Sequence, residues 1–184
     1  MTRFRKLTEE VGFRGSLVTA ARARFESPGG TVFERDIVHH PGAVVVVPVV
    51  GDGKAVLMVR QYRAAIDRVL LEVPAGKRDV DGEPVKVTAR RELAEEVGME
   101  AARIELLAEF YNSPGFCDEH SYLFLATDLT SCPVSAQGLE EEHMTIEEVA
   151  LADVPALVAS GELVDAKSII GLCLAREHLA RGVA

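Results

Sequence analysis

The chain has 184 residues, 48% of them hydrophobic, so it can fold as one unit around a sizeable core. Its formal net charge of −9 argues against a nucleic-acid groove or an anionic membrane surface as partner, because both require an excess of lysine and arginine. Small anionic substrates are not excluded, since bound metal cations reverse the local field.

Cysteine usage and hydropathy predict a cytoplasmic protein. The cysteines, Cys117, Cys132 and Cys173, are odd in number and show no metal-ligand spacing, which is typical of a reducing compartment. The charged N-terminal residues are followed by no apolar run, so no signal peptide is predicted. The longest apolar run, "GAVVVVPVV", is too short to cross a bilayer.

In chain order, hydrophobic periodicity and turn residues predict strands with interspersed helices. The predicted elements are strands at 16–25, 31–38, 43–50, 54–63 and 69–73, a helix from about Pro84 to Gly98, strands at 104–111, 120–127 and 145–151, and helices at 153–160 and 166–181. Hairpins with interspersed helices indicate an α/β or α+β fold, with a mixed β-sheet sandwiched between helices.

The stretch "RRELAEEVG", residues 90–98, places three glutamates within five positions of the predicted helix. On a helical wheel, Glu92, Glu95 and Glu96 border the apolar stripe and do not lie opposite it. Partly desolvated carboxylates beside one another are costly as bare anions, and a hard divalent cation such as Mg²⁺ would offset their repulsion. The alternative is a solvated acidic face that pairs with Arg90 or Arg91.

The wider stretch 76–99, "GKRDVDGEPVKVTARRELAEEVGM", resembles the signature of the Nudix hydrolases. That signature is Gly, five residues, Glu, seven residues, then Arg-Glu-U-x-Glu-Glu-x-Gly-U, where U is a bulky apolar residue. The matching positions are Glu83, Arg91, Glu92, Leu93, Glu95, Glu96, Gly98 and Met99. One departure exists, since six residues separate Gly76 from Glu83, but the extra residue precedes the helix and leaves its register intact.

The resemblance implies a hydrolase of nucleoside diphosphates linked to another group, which uses Mg²⁺ or Mn²⁺ with more than one ion in the site. It assigns metal binding to Glu92 and Glu96, with Glu95 assisting, and to the backbone carbonyl of Ala75. Glu96 is counted among the catalytic residues for the same reason. The remaining signature positions are expected to be structural, with Arg91 orienting the glutamates through charge-assisted bonds; they are Gly76, Glu83, Arg91 and Gly98.

Four further stretches resemble the ADP-ribose pyrophosphatase branch of this family. They are "RQYR" (60–63), "LEVPAG" (71–76), "SPGF" (113–116) and "SGELVDAKSIIGL" (160–172). Arg63, at a predicted strand end, is a candidate for a two-pronged phosphate contact or an ordinary surface charge. Glu72 is expected to contact substrate or to pair with an arginine.

The loop "NSPGFCDE", residues 112–119, is a second candidate for substrate contacts, because loops carry function disproportionately. Pro114 and Gly115 are expected to fix its shape. Phe116 is expected either to face the nucleoside or to anchor the loop in the core. Glu119 is a candidate acceptor for ribose hydroxyls.

A second acidic cluster, "LEEEHMT" at 139–145, precedes the strand predicted at 145–151. The resemblance places the general base in a loop at this position. Glu140 is the first candidate, followed by Glu142 and Glu141, and His143 is weaker. A solvated charge run is the alternative for some of them.

The expected reaction is therefore Mg²⁺-dependent hydrolysis of ADP-ribose to AMP and ribose 5-phosphate. The alternatives are another nucleoside diphosphate sugar or a dinucleotide as substrate, or a non-catalytic nucleotide-sugar-binding module. By the same resemblance, residues 1–40 form a β-strand extension that builds a homodimer, and residues 41–184 form the hydrolase domain. Arg22, Arg24 and Phe25 are equal candidates to reach the partner's pocket.

Overall fold

The computed structural model describes residues 3–134 and 139–181, except for the side chains of Glu140 and Glu141. In chain order, the elements are β1 (Arg5–Arg14), β2 (Thr19–Glu26), β3 (Val32–His39), β4 (Ala43–Val50), β5 (Ala55–Arg63), β6 (Arg68–Glu72), β7 (Ala75–Lys77), α1 (Val85–Val97), β8 (Met99–Tyr111), β9 (His120–Ser131), α2 (Leu139–Glu142), β10 (Thr145–Ala150), α3 (Val154–Ser160) and α4 (Ala166–Arg181). A 3₁₀ turn, Ala64–Ile66, follows β5.

The chain forms two compact units. The first comprises Met1–Gly42 and Phe110–Ser121, and the second comprises Ala43–Glu109 and Tyr122–Ala184. The first unit contains an antiparallel sheet in the order β1-β2-β3. Strand β1 was not expected from the sequence, and it carries two register irregularities, which bend a strand.

The second unit is built on a sheet in the order β10-β5-β4-β9-β8, with β6 paired to β5 and β7 paired to β4. Its central strand β4 is buried along almost its whole length, as its run of valines allows. The β4–β7 pairing matches Val44 with Gly76 and Val45 with Ala75. The start of the glutamate-rich motif is therefore fixed against the centre of the sheet.

Two helices cover opposite faces of this sheet. On one face, Ala89, Leu93 and Val97 of α1 pack in one core cluster with Val44 and Val46. On the other face lies α4, where a Cβ added at Gly171 would come within 3.0 Å of side-chain atoms of both Leu123 and Val47. Because side chains alternate between the two faces of a strand, β4 packs against both helices. The predicted mixed-sheet α+β sandwich is confirmed.

Most predicted boundaries agree with the structure within a few residues. The main differences are β1 and an earlier start of β8, which begins at Met99 directly after the helix cap. No helix in the described ranges is long and apolar enough to cross a membrane.

Candidate functional site

Helix α1 orients the glutamates of the motif. It begins after Pro84, and it ends at Gly98, whose left-handed backbone (φ 63°) closes the helix as the amide of Gly98 donates to the carbonyl of Ala94 at 3.1 Å. These ends agree with the sequence prediction. The buried apolar stripe of α1 fixes its rotation against the sheet, and this rotation sets the direction in which the glutamates project.

Glu92 and Glu96 are buried, with only 7% and 4% of their surface exposed. The solvated acidic face is therefore ruled out for these two residues, whereas Glu95 is half-buried. The carboxylate of Glu92 lies against the backbone of Gly76, so closely that a Cβ at that position would fall 1.8 Å from its Cδ atom. Only glycine permits this approach.

Glu96 is tied to the same turn. The backbone amide of Ala75 donates to Oε2 of Glu96 at 3.0 Å. Strand β7 holds Ala75 in place through its pairing with β4, and the carbonyl of Pro74 accepts from the amide of Val46 at 2.9 Å. The two buried carboxylates thus meet one short backbone segment, Ala75–Gly76.

Arg91 links the carboxylates of the motif. Its Nη1 atom lies 2.8 Å from Oε1 of Glu92 and 2.9 Å from Oε2 of Glu95, and its Nη2 atom lies 3.4 Å from Oε2 of Glu83. Burial opposes the charge of Arg91, but the neighbouring carboxylates outweigh burial and raise its pKa above the usual value. This geometry is the one that an orienting role requires.

The donor set at this turn fits a hard divalent cation. The carboxylates of Glu92 and Glu96 meet the turn, and Arg91 links Glu95 to Glu92. Together with the backbone carbonyl of Ala75 they are oxygen donors of the kind that Mg²⁺ and Mn²⁺ prefer. The missing Cβ of Gly76 leaves room for the Glu92 carboxylate at the turn. Within the described ranges, no three His, Cys, Asp or Glu side chains are already grouped for metal binding. Arg91 and the Ala75 amide contact these carboxylates instead.

Arg63 and Glu72 form a two-pronged ion pair on neighbouring strands. Nε of Arg63 donates to Oε1 of Glu72 at 2.7 Å, and Nη2 donates to Oε2 at 2.6 Å. Glu72 is 1% exposed, whereas the Arg63 side chain is 36% exposed. The hydrogen bonds with Glu72 raise the pKa of Arg63. Of the two expectations for Glu72, pairing with an arginine is the one seen in the structure.

Sequence reasoning missed a polar cluster at the start of α4 that supports this pair. Asp165 accepts hydrogen bonds from the amide of Ser168 at 2.9 Å and from Nζ of Lys167 at 2.7 Å. Burial alone would raise the pKa of Asp165, but Lys167 and Ser168 lower it overall. Nζ of Lys167 also lies 3.9 Å from Glu72. An aspartate three residues before a serine at a helix start was the available signal.

The hydroxyl of Ser168 connects this cluster to the turn of the motif. Its Oγ donates to Oδ2 of Asp165 at 2.7 Å and accepts from the amide of Val73 at 2.9 Å. Ser168 and Val73 are both almost fully buried. The last helix therefore anchors the backbone two residues before Ala75.

The loop 112–119 lies in the first compact unit. The amide of Asn112 donates to the carbonyl of Glu119 at 3.3 Å, which closes the loop, and the amide of Cys117 donates to the carbonyl of Ser113 at 2.9 Å. Phe116 is 59% exposed, so its alternative role as a core anchor is ruled out. Pro114 and Gly115 are also exposed, and Glu119 is half-buried.

The same unit contains an aromatic pocket of about 450 Å³. One wall is the loop segment Pro114–Asp118, and the other lining residues include Phe25, Phe33 and Arg35. The rings of Phe25 and Phe33 stack with centroids 5.6 Å apart, and the Arg35 guanidinium lies 4.8 Å from the centroid of Phe33. Phe33 and Arg35 had not been predicted as site residues, because strand periodicity alone does not reveal a shared pocket.

The candidate general bases lie on the short helix α2 and just after it. The side chains of Glu140 and Glu141 fall outside the described part of the structure. Glu142 and His143 are exposed. Strand β10 follows and pairs with β5, opposing Thr145 to Arg60.

The chain is similar in sequence to the NUDIX domain and to ADP-ribose pyrophosphatases. Residues 38–169 match the NUDIX domain. The ADP-ribose pyrophosphatase of Bacillus subtilis (strain 168) is 40% identical over 162 residues, covering 88% of this chain and 86% of that protein. The ADP-ribose pyrophosphatase of Mycobacterium tuberculosis (strain ATCC 25618 / H37Rv) is 37% identical over 169 residues, covering 92% and 81%.

A solved structure described as an ADP compounds hydrolase shares the fold of this chain. The two structures align with a TM-score of 0.85 and 24% sequence identity, over 98% of this chain and 96% of that one.

Proposed function

The chain belongs to the Nudix family, and from this premise we propose that it hydrolyses the pyrophosphate bond of ADP-ribose to give AMP and ribose 5-phosphate in a reaction that requires Mg²⁺. The observation that carries the chemistry is the pair of buried carboxylates, Glu92 and Glu96, directed at the Ala75–Gly76 turn. Buried carboxylates of this kind are expensive unless a cation compensates them. The choice of ADP-ribose follows the relatives that bear this activity in their names.

Four groups would hold the metal: the carboxylates of Glu92, Glu95 and Glu96 and the carbonyl of Ala75. Divalent ions, when bound, polarise the diphosphate, neutralise its charge and lower the pKa of a bound water. This explains how a chain with a net charge of −9 binds an anionic substrate. Arg91 keeps Glu92 and Glu95 aligned in the proposed site.

Glu140 is the proposed general base, which takes the proton of the attacking water, and Glu142 is the next candidate. Phosphoryl transfer needs little covalent participation by the protein, because positioning and charge stabilisation supply most of the rate. A glutamate just before β10 is suited to this role, since β10 pairs with β5, the strand that ends in Arg63.

Arg63 is proposed to contact the diphosphate. A guanidinium carries five N–H donors, and the Glu72 contact uses two of them, so one residue can serve both partners. Glu72 then holds Arg63 in one orientation, which reduces the entropy lost on binding.

The nucleoside end is proposed to bind in the aromatic pocket of the first unit. A volume of about 450 Å³ is in the range of small-molecule sites, and aromatic faces beside a guanidinium favour a stacked base. Pro114, Gly115 and Phe116 belong to its wall, and the adjacent Glu119 is the proposed acceptor for ribose hydroxyls.

The test is release of AMP from ADP-ribose by the purified chain, with and without Mg²⁺. Glu96→Gln should lower turnover at least roughly a thousandfold and keep the fold intact, because it removes a metal ligand but little volume. Glu100→Gln is the matched control, since Glu100 is exposed and follows the motif. Unchanged turnover in the Glu96 variant would contradict the mechanism.

A substrate panel separates the alternatives. Faster hydrolysis of another nucleoside diphosphate sugar, or of a dinucleotide, would keep the chemistry and change the assignment of the substrate. Binding of ADP-ribose without metal-dependent release of AMP would identify a binding module. The complete glutamate set favours an enzyme, because a pure binder has no use for all of these carboxylates.

A homodimer in the cytoplasm is also proposed. The N-terminal 40 residues expose several large apolar side chains, among them Phe4 (61%) and Phe13 (59%), which suit a protein interface. Light scattering coupled to size exclusion tests the dimeric state.

The proposed cytoplasmic location follows from the cysteines, since three free cysteines fit a reducing compartment.

A further inference from the structure

His39 lies between two carboxylates from distant parts of the chain. Its Nδ1 atom is 2.5 Å from Oδ2 of Asp118, in the pocket loop, and its Nε2 atom is 2.8 Å from Oε1 of Glu9, on β1. A neutral imidazole has one N–H donor, so both contacts are favourable only when the ring is protonated. We refer to His39, Glu9 and Asp118 as the His39 clamp.

The clamp acts on the segment that forms one wall of the aromatic pocket. The other oxygen of Asp118 accepts from the amide of His40 at 2.8 Å. Val38 pairs with the same segment through its backbone. Its amide donates to the carbonyl of Phe116 at 2.7 Å, and its carbonyl accepts from the amide of Asp118 at 3.1 Å. The loop is thus joined to the end of β3 by backbone pairing and by the side chain of Asp118.

Lys6 and His40 are further titratable groups near the clamp. Nζ of Lys6 lies 2.6 Å from Glu9 and keeps that carboxylate ionised. Nδ1 of His40 accepts from the amide of Gly42 at 3.0 Å, a contact that involves no member of the clamp. Glu9 and Asp118 are the carboxylates that act on His39.

The hydrogen bonds with Asp118 and Glu9 raise the pKa of His39 above its ordinary value of 6.5. The pKa values of Glu9 and Asp118 are lowered, in Asp118 despite its burial. A raised histidine pKa stabilises the clamp fully below pH 6.5, and this contribution is lost as the pH rises through the raised value. Glu9 and Asp118 stay ionised down to their own lowered pKa values, so the clamp is closed in mildly acidic solution and opens as the pH rises through the raised pKa of His39.

We propose that His39 is a positioning residue for substrate binding, because its clamp fixes the loop segment Pro114–Asp118 as a wall of the pocket and loosens this wall when the ring loses its proton. The inference rests on the proposed function in assigning the nucleoside to this pocket. His39 acts through Asp118 and the loop, so it changes the binding of substrate and leaves the hydrolytic step alone.

The kinetic test compares wild type with His39→Gln and His39→Arg. The groups are partly exposed, so the effects are moderate. Between about pH 6 and pH 9, the ratio of the wild-type KM for ADP-ribose to the KM of His39→Arg should rise roughly three- to tenfold. The kcat values of the two enzymes should be equal at each pH. His39→Gln should show the raised KM at every pH, and the permanently charged arginine should show a low KM throughout.

Glu26→Gln is the matched control. It removes another exposed ion pair of the same sheet, Arg5–Glu26, whose atoms are 2.9 Å apart. It should behave like wild type at each pH. A KM of His39→Gln equal to that of wild type across this range, or a loss confined to kcat, would overturn the proposal.

Two measurements on the substrate-free chain test, without any catalysis, whether the charge of His39 holds the loop. Hydrogen exchange of residues 112–118, corrected for intrinsic rate, should lose protection as His39 titrates by NMR, and His39→Arg should keep it. If ADP-ribose is not hydrolysed but this coupling is seen, the clamp stands and the proposed function fails. Protection that is independent of the His39 titration would refute the clamp, whatever the substrate.

Discussion

An alanine Cβ at position 76 would lie 1.8 Å from Cδ of Glu92 and 2.1 and 2.3 Å from its two carboxylate oxygens. Real atoms do not approach this closely, so the carboxylate of Glu92 exists in its position only because residue 76 has no side chain. The glycine of the motif therefore selects the rotamer of a proposed metal ligand sixteen residues further along the chain.

Gly76→Ala should displace the Glu92 carboxylate and leave the fold in place. The displaced atoms are the end of a flexible side chain, so stability should change by less than about 1 kcal/mol, whereas kcat/KM should fall roughly a hundredfold. Steady-state kinetics and thermal unfolding check both expectations. Gly29→Ala is the control, because within the described part of the chain its Cβ would meet only Oγ of Ser27, at 3.9 Å. An active Gly76→Ala enzyme would mean that Glu92 does not act from this position.

Arg91→Lys should lower kcat/KM about tenfold with little change in unfolding. A lysine ammonium is a point charge and cannot contact Glu92 and Glu95 from one nitrogen and Glu83 from another, as the guanidinium does. Calorimetric titration with Mn²⁺ should show weakened binding in parallel. Arg103→Lys serves as the control, since its ion pair with Asp128 is on the surface. Metal affinity equal to that of wild type would remove the orienting role from Arg91.

Arg63→Ala should destabilise the chain by about 2 kcal/mol, because among the described residues it leaves Lys167, 3.9 Å away, as the cation beside the buried carboxylate of Glu72. The figure is below that of a fully buried pair, since Arg63 is 36% exposed. Urea denaturation measures the loss. Arg181→Ala, which breaks an exposed pair with Glu177, should cost no more than about 0.5 kcal/mol. Equal losses in the two variants would show that the Arg63–Glu72 pair has no structural role.

Gly98→Ala should cost more stability than Gly161→Ala, although both glycines end helices with positive φ, 63° and 77°. Each substitution forces alanine into the left-handed region, at about 1 to 2 kcal/mol. At position 98 the new Cβ would also lie 2.9 Å from the carbonyl oxygen of Cys132, whereas at position 161 no atom of the described residues lies within 4 Å. Chemical denaturation of the two variants gives the difference, and an equal cost would contradict the steric argument.

Glu140→Gln should lower kcat strongly, by about a hundredfold or more, with metal affinity unchanged, because a general base transfers protons without holding the ion. Single-turnover hydrolysis and Mn²⁺ titration separate the two effects. Glu142→Gln is the direct comparison on the same helix. A silent Glu140 variant together with a slow Glu142 variant would reassign the base.

Local signals predicted the glutamate helix well. Pro84 and Gly98 mark its ends, and its apolar stripe faces the core as expected, because capping and periodicity are encoded within a few residues. The family resemblance is confirmed by the match over residues 38–169 and by the similar pyrophosphatases. The alternative of a solvated face could not be settled from the sequence, since burial of Glu92 and Glu96 depends on the turn that packs on them.

Contacts between distant segments could not be predicted. Strand β1, "RKLTEEVGFR", is charged and almost wholly exposed, and only its pairing with β2 makes it a strand. Glu9, His39 and Asp118 are far apart in the chain, and no spacing rule connects them. The exposure of Phe116 depends likewise on how its loop is anchored to β3.

The hydrogen bond from Val73 to Ser168 joins residues 95 positions apart, and it has a consequence for the timing of synthesis. A ribosome completes the acidic helix well before it adds Asp165 and Ser168, so the backbone next to Ala75 acquires this anchor only when α4 emerges. Contacts of such long range form late in folding. We expect the nascent chain to stay catalytically silent until α4 docks, which couples the onset of activity to the synthesis of this helix.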